Sequence, residues 1–132
     1  RIYVMSILVD TQAIIWYAEN NSALSPIARQ AMDDNTNPCY VSLASFWEMS
    51  IKMKLGKLNV KGLLLDEFMQ EVEEHGFTTL DITKAHILNS GTLPLHHRDP
   101  FDRLIIAQAL VEDWQVITSD DAFDAYGVKR IW

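Results

Sequence analysis

The sequence predicts an α/β fold with a mostly parallel central sheet. Short apolar runs alternate with helical segments along the chain, which is typical of parallel strands joined by helices. The chain has 132 residues, 48% of them hydrophobic, which is enough to bury one core. It has no internal repeat, low-complexity tract or linker, so we expect a single domain over residues 5–132.

The first half of the chain predicts two strands and three helices. Residues 7–9 are a short apolar run, interpreted as a buried strand that ends at Asp10, and a helix follows over residues 11–19. Ser25 and Pro26 favour the start of a helix over residues 26–32, because serine is a common N-cap and proline suits the first helical position. The next elements are a strand over residues 39–41 and a helix over residues 43–55 that Gly56 can close in the left-handed conformation.

The second half predicts three more strands and further helices. Thr83 is expected to cap a helix that runs to residue 88, and Pro100 opens another that runs to about residue 113. The remaining predicted elements are an amphipathic helix over residues 65–75 ended by Gly76, strands over 77–80, 115–118 and 129–132, and a short helix or turn over 121–126.

Composition limits the function classes. The formal net charge of 11 − 18 = −7 argues against a protein that binds nucleic acid by broad phosphate neutralisation. The single cysteine, Cys39, excludes an intramolecular disulfide and a cysteine-rich zinc site, and it favours a reducing, cytoplasmic setting. No apolar run approaches the roughly 18 to 20 residues of a membrane span. Met5 resembles a natural start, so residues 1–4 are expected to be foreign to the domain or the trace of a longer reading frame.

Two aspartates follow strands of the predicted sheet. Asp10 comes directly after the first strand, and Asp120 lies two residues after the strand that ends at Thr118. Ligands bind at the carboxyl ends of parallel strands, so both positions are candidates for a site. The alternative is a helix N-cap, because aspartate is favoured there and a helical segment follows each residue.

Two further acids lie on predicted helices near the same edge. Glu48 shares a helix face with Ser45 and Lys52, and the alternative to a functional role is a solvated Glu–Lys pair. Asp102 is the third residue of a helix that is apolar almost all round, after Asp99 as the natural N-cap. The helix dipole favours an acid there, but a carboxylate on a buried face needs compensation by a cap or a metal ion.

These four acids together predict a metal site. Carboxylates this close cannot all stay ionised without a counter-charge. An all-oxygen cluster suits Mg²⁺ or Mn²⁺, which lowers the pKa of a bound water and neutralises charge on a phosphate. That chemistry indicates phosphodiester hydrolysis.

Other polar and aromatic features have both functional and structural interpretations. Basic side chains near the acids could contact an RNA backbone, although lysines near a helix C-terminus are also ordinary solvated residues. The candidates are Lys52, Arg98 and Arg103, with Lys54, Lys57 and Lys61 in the same basic run. His96 and His97 favour a substrate contact or a structural cap over a zinc site, since no cysteine or third histidine is near. Trp16, Trp47 and Trp114 are interpreted as core or dimer-interface residues.

Four segments resemble a known family. They are Leu8-Val9-Asp10-Thr11, Ser42-Leu43-Ala44-Ser45-Phe46-Trp47-Glu48, His97-Arg98-Asp99-Pro100-Phe101-Asp102-Arg103-Leu104-Ile105-Ile106-Ala107 and Val116-Ile117-Thr118-Ser119-Asp120. In this order, over nearly the whole chain, they resemble PIN-domain proteins of the VapC-like type, the toxin ribonucleases of type II toxin–antitoxin pairs. The resemblance implies a three-layer α/β/α sandwich, Mg²⁺- or Mn²⁺-dependent endoribonuclease activity, a homodimer and a small antitoxin partner.

The resemblance also assigns residues. It makes Asp10, Glu48, Asp102 and Asp120 the catalytic, metal-binding quartet of an enzyme that hydrolyses RNA by in-line attack of water with the 3′-oxygen leaving. Whether one or two metals bind stays open. The supporting residues that it implies are Thr11, Thr118 and Ser119, with Asp99 as an extra carboxylate beside Asp102.

Other function classes compete with the nuclease. A non-catalytic metal- or protein-binding module could share the fold. A doubly wound phosphatase with Asp10 as nucleophile would require a second aspartate at position 12, where this chain has Gln12. A receiver-like phosphoacceptor would require a lysine after a late strand, where this chain has Ser119 and Asp120.

Overall fold

Five parallel strands form one sheet: β1 (Ile7–Val9), β2 (Cys39–Ser42), β3 (Thr78–Leu80), β4 (Gln115–Ile117) and β5 (Arg130–Ile131). Their order in the sheet is β3-β2-β1-β4-β5. The predicted α/β fold with a mostly parallel sheet is confirmed. The computed structural model describes residues 5–132, so the prediction about residues 1–4 lies outside the described residues.

Six α-helices and one 3-10 helix connect these strands within the described part of the chain. The α-helices are α1 (Thr11–Ala18), α2 (Pro26–Asp33), α3 (Leu43–Lys54), α4 (Leu65–Glu74), α5 (Lys84–Thr92) and α6 (Pro100–Glu112), and the 3-10 helix is Asp121–Tyr126. Ser25 caps α2 by accepting a hydrogen bond from the Ala28 N–H, and Gly56 has φ 69° after α3, both as the sequence predicts.

The central strand β1 separates two apolar cores. Ile7 and Val9 pack with residues of α1, α2, α3 and α4 on one side of the sheet. Leu8 points to the other side and packs with α6 residues and Phe123. All three β1 side chains are fully buried, because successive side chains of a strand alternate between faces and helices cover both. The result is the three-layer α/β/α arrangement that the resemblance implies.

The topology brings several helix starts to one edge of the sheet. Strand β1 pairs with β2 on one side and with β4 on the other, so the crossovers change direction at its carboxyl end. Helix α1 begins after a single residue, Asp10, and α3 follows β2 without an intervening residue. Such a point is where open parallel sheets bind their ligands.

Helix α5 is longer than predicted, since it continues to Thr92 instead of ending at residue 88. Ser90 and Thr92 donate their hydroxyl hydrogens to carbonyls one turn earlier. The Arg103 guanidinium binds the Ser90 and Leu93 carbonyls at 3.0 Å each. These contacts from another helix stabilise a turn whose own residues have low helix propensity. No helix in the described residues is long and apolar enough to cross a membrane.

Candidate metal centre

A cleft of about 400 Å³ opens at the carboxyl edge of the sheet, and all four predicted acids line it. Asp10 follows β1, Glu48 lies on α3, Asp102 is in the first turn of α6, and Asp120 follows β4. The structure therefore brings together four carboxylates that are up to 110 residues apart in sequence.

Asp10 caps α1 and is buried in the cleft. Its Oδ1 accepts a hydrogen bond from the Ala13 N–H at 2.8 Å, and its own N–H donates to the Ile117 carbonyl at 3.0 Å. Only 7% of the residue is exposed, and this burial raises the pKa of the Asp10 carboxyl to about 6 against the opposing hydrogen bond from Thr118. Asp10 is therefore both the N-cap of α1 and a residue of the candidate site.

Glu48 has one carboxylate oxygen with no partner. Its Oε2 accepts a hydrogen bond from the Lys52 ammonium at 2.8 Å, while Oε1 is buried and has no hydrogen-bond donor. The Glu–Lys pair of the sequence analysis exists, but the Glu48 side chain is 8% exposed, so the pair is not simply solvated. A buried carboxylate oxygen without a donor is unfavourable unless a cation or an ordered water binds it.

Asp102 lies in the first turn of α6, next to the residue that caps the helix. Asp99 Oδ1 accepts hydrogen bonds from the Phe101 and Asp102 N–H groups at 2.8 Å and 3.1 Å. Burial, followed by the negative charge of Asp99, raises the pKa of the Asp102 carboxyl to about 7. Two of the four acids thus bind protons more tightly than ordinary aspartates, first because they are buried and then because other carboxylates lie nearby.

Hydroxyl groups fix the backbone around the acids. The buried Thr118 hydroxyl accepts a hydrogen bond from the Asp120 N–H at 3.0 Å, so it contacts the first and the last acid at once. Thr11 donates to Ser45 Oγ at 2.8 Å and thereby joins α1 to α3 behind the cleft. Ser119 is exposed and lines the cleft.

The predicted basic contacts divide into two groups. Lys52 and Lys57 line the cleft, and Arg98 is exposed beside α6. Arg103 instead donates to the carbonyls of residues 90, 93, 94 and 97, so its guanidinium holds the loop that leads into α6. Lys61 pairs with Glu71 at 2.6 Å, in agreement with its interpretation as an ordinary surface residue.

His97 contacts two of the four acids, whereas the sequence favours a substrate contact or a structural cap for this residue. Its Nε2 lies 2.8 Å from Asp120 Oδ2 and 3.1 Å from Asp102 Oδ2. Among the described residues, this trio is the group whose ligand-type atoms all lie within 4.8 Å of one another. The sequence feature that could have indicated this contact is the position of His97 directly before Arg98-Asp99-Pro100. Hydrophobic periodicity does not give the direction of a side chain on a loop.

Comparison with known proteins places the chain in a family. The model of the PIN domain family matches residues 7–129. The chain belongs to the PIN domain family.

Individual relatives match this chain over most of their length. Ribonuclease VapC22 of Mycobacterium tuberculosis is 27% identical over 116 residues, which cover 87% of each protein. The crystal structure of VapBC2 from Rickettsia felis, bound to a DNA fragment from its promoter, matches 97% of this chain and 100% of its own, with a TM-score of 0.72 and 12% identity. The FitAcB structure from Neisseria gonorrhoeae matches 94% of this chain and 95% of its own, with a TM-score of 0.56 and 20% identity.

Proposed function

We propose that the protein is a metal-dependent endoribonuclease that hydrolyses RNA phosphodiester bonds. The observation that supports it most is the convergence of Asp10, Glu48, Asp102 and Asp120 on one cleft, with a buried Glu48 oxygen that has no donor. Membership of the PIN domain family and the similarity to a named ribonuclease support the same function.

The donor set fits a hard divalent cation, and we propose Mg²⁺ or Mn²⁺. Carboxylate oxygens suit these ions, which keep several waters in their coordination shell. Asp10 and Glu48 lie outside the group of atoms within 4.8 Å, so they are expected to hold the ion partly through ordered waters. When bound, the cation activates water and neutralises charge on the phosphate.

The residues of the chain then orient the RNA and the attacking water. Hydrolysis joins a water oxygen to phosphorus and breaks the bond to the 3′-oxygen, which leaves a 5′-phosphate and a 3′-hydroxyl. Lys52, half exposed at the cleft, and the exposed Arg98 are proposed to contact the RNA phosphates, with Lys57 beside them. The net charge of −7 limits such contacts, so RNA binding is expected to be weak and sensitive to salt.

We also propose that the chain is the toxin of a toxin–antitoxin pair, forms a homodimer and binds a small antitoxin protein. Helix α3 and its C-cap residue support a protein-contact surface, because exposed apolar side chains follow one another there at four-residue spacing. They are Trp47, Ile51 and Leu55, which are 56%, 40% and 61% exposed. A cytoplasmic location stays a prediction.

The experiment is cleavage of a structured RNA by the wild type and by Asp10→Ala, followed by analysis of the product ends. We expect cleavage by the wild type, 5′-phosphate and 3′-hydroxyl ends, and no cleavage by the variant. Products with 2′,3′-cyclic phosphate ends would contradict hydrolysis by water. Metal binding without cleavage of any RNA tested would favour the alternative, a non-catalytic binding module of the same fold.

A further inference from the structure

Arg130 lies on the edge strand β5, and its guanidinium makes contacts that the proposed hydrolysis does not use. Its Nη1 donates to the Thr118 carbonyl at 3.2 Å. Its Nε and Nη2 donate to the two carboxylate oxygens of Asp124, at 2.8 Å and 3.2 Å. Such a two-point contact with a carboxylate fixes the orientation of both side chains more firmly than a single hydrogen bond does.

The contacts of Arg130 span the segment that carries Asp120. The register of β4 with β5 ends at Ile117, so Thr118 is the first residue beyond the ladder. Asp120 follows two residues later and is the N-cap of the 3-10 helix, and Asp124 lies inside that helix. The guanidinium therefore joins both the start and the far end of this segment to β5.

Thr118 links Arg130 to two of the four acids. The fully buried Thr118 hydroxyl accepts from the Asp120 N–H at 3.0 Å and donates to the Asp10 carboxylate. Asp120 in turn caps the 3-10 helix through its Oδ1, which accepts from the Ala122 N–H at 3.0 Å. A displacement of Thr118 would therefore move the backbone of Asp120 and loosen the contact with Asp10.

The geometry favours positioning over two other roles of Arg130. Among the described residues, the cleft lining includes Asp120 but not Arg130, whose side chain is 22% exposed, so a contact with RNA in the cleft is disfavoured. The pKa of the guanidinium is raised, first by the hydrogen bond to Asp124 and then by the charges of Asp124, Asp121 and Asp120. A role of charge alone would be met by lysine, which lacks the planar fork that reaches both Asp124 and the Thr118 carbonyl.

We propose that Arg130 is a positioning residue of the metal centre, whose guanidinium holds Thr118 and the 3-10 helix so that the Asp120 carboxylate is in place at the cleft before a cation binds. This inference rests on the proposed metal-dependent function. A carboxylate that is already in place loses less conformational freedom when it binds an ion. Groups that orient metal ligands typically contribute about 10- to 100-fold to metal affinity or activity.

The experiment is a Mn²⁺ titration of the full chain, followed by the paramagnetic resonance signal of the free ion. We expect Arg130→Lys to bind Mn²⁺ at least about 10-fold more weakly than the wild type, although lysine keeps the positive charge. Lys129→Gln is the matched control, because it removes a charge from the neighbouring, exposed position, and it should bind Mn²⁺ as the wild type does. Urea denaturation checks that each variant is folded.

Asp124→Asn tests the same contact from the other side and covers the case in which Arg130→Lys does not fold. The amide of asparagine cannot accept two hydrogen bonds from the guanidinium side by side, so Mn²⁺ binding should again weaken. The double variant should bind Mn²⁺ no more weakly than Arg130→Lys alone, because both substitutions break one contact.

The rate of RNA cleavage separates positioning of the metal centre from a contact with RNA. We expect Arg130→Lys to cleave slowly at low Mn²⁺ concentration and to recover as the Mn²⁺ concentration rises, with an unchanged KM for RNA. A contact with RNA would instead raise KM at every Mn²⁺ concentration.

Each contrary result has a distinct meaning. Wild-type Mn²⁺ affinity in folded Arg130→Lys or in Asp124→Asn, an equal loss in Lys129→Gln, or additive losses in the double variant would overturn the role of Arg130. An increase in KM with unchanged Mn²⁺ affinity would overturn it in favour of an RNA contact. The wild type would still bind Mn²⁺ and cleave RNA in all these cases. No Mn²⁺ binding by the wild type would overturn the proposed function and this inference with it.

Discussion

Replacement of Asp10 by asparagine should stabilise the metal-free protein at neutral and higher pH. Asparagine keeps an oxygen that can accept from the Ala13 N–H, so the cap of α1 is retained. The substitution removes a buried negative charge close to Glu48 and Asp120. Burial of this charge destabilises the folded protein. The proposed metal binding requires the charge, whereas folding does not.

The magnitude follows from the carboxyl pKa, which is raised from 3.8 to about 6 in the folded protein. Because the folded protein binds this proton more tightly than the unfolded chain, the loss of stability begins as the pH rises through the unfolded pKa and is complete above the folded pKa. A shift of this size corresponds to about 3 kcal/mol. Asp10→Asn should therefore raise the free energy of unfolding by up to about 3 kcal/mol at pH 8 and by little at pH 4.

The assay is urea denaturation of wild type and Asp10→Asn in EDTA at pH 4 and pH 8. The exposed Asp81 provides the matched control, and Asp81→Asn should change stability little at either pH. Destabilisation by Asp10→Asn at pH 8, or an equal effect at both pH values, would refute the account of a buried, uncompensated carboxylate.

Three further predictions concern the cleft and its supports. Mn²⁺ affinity should rise between pH 5.5 and 8, because Asp10 and Asp102, whose pKa values are raised to about 6 and 7, must release protons to hold the ion. Calorimetry in buffers of different ionisation enthalpy measures this proton release, and an affinity that does not depend on pH would contradict the prediction. Arg103→Lys should lower the free energy of unfolding by about 2 to 3 kcal/mol, because lysine cannot bind carbonyls on both sides of the loop. Urea denaturation measures this change, and an unchanged free energy of unfolding would refute the role of Arg103 in holding the loop. Lys52→Gln should weaken RNA binding and reduce the salt slope of log K by about 1 in binding titrations, whereas an unchanged slope would exclude a phosphate contact.

The sheet and most helices could be predicted because local signals agreed with the tertiary structure. The apolar run over residues 7–9 is a strand buried on both faces, and Asp10 both ends it and caps α1. Helix α2 begins after the Ser25 cap with Pro26, and α3 ends before Gly56. The effect of each of these residues depends only on its neighbours in sequence. These features required no knowledge of contacts distant in sequence.

The features that were missed depend on distant contacts. The last turn of α5 is stabilised by Arg103, a residue of α6, which no local pattern around residues 89–92 reveals. The position of His97 against Asp102 and Asp120 depends on the packing of the loop on Tyr126 and Phe123. Periodicity locates a helical or strand side chain on a face, but it does not orient one on a loop.

In the proposed function, the four acids hold a cation that RNA hydrolysis requires. The most direct test is the initial rate of RNA cleavage by the wild type in EDTA, in Mg²⁺ and in Mn²⁺, with Asp102→Asn measured at the same protein concentration. We expect no cleavage in EDTA, cleavage that rises to a plateau with either ion, and none by Asp102→Asn at any ion concentration. Cleavage that persists in EDTA and in Asp102→Asn would contradict metal-dependent hydrolysis at these acids.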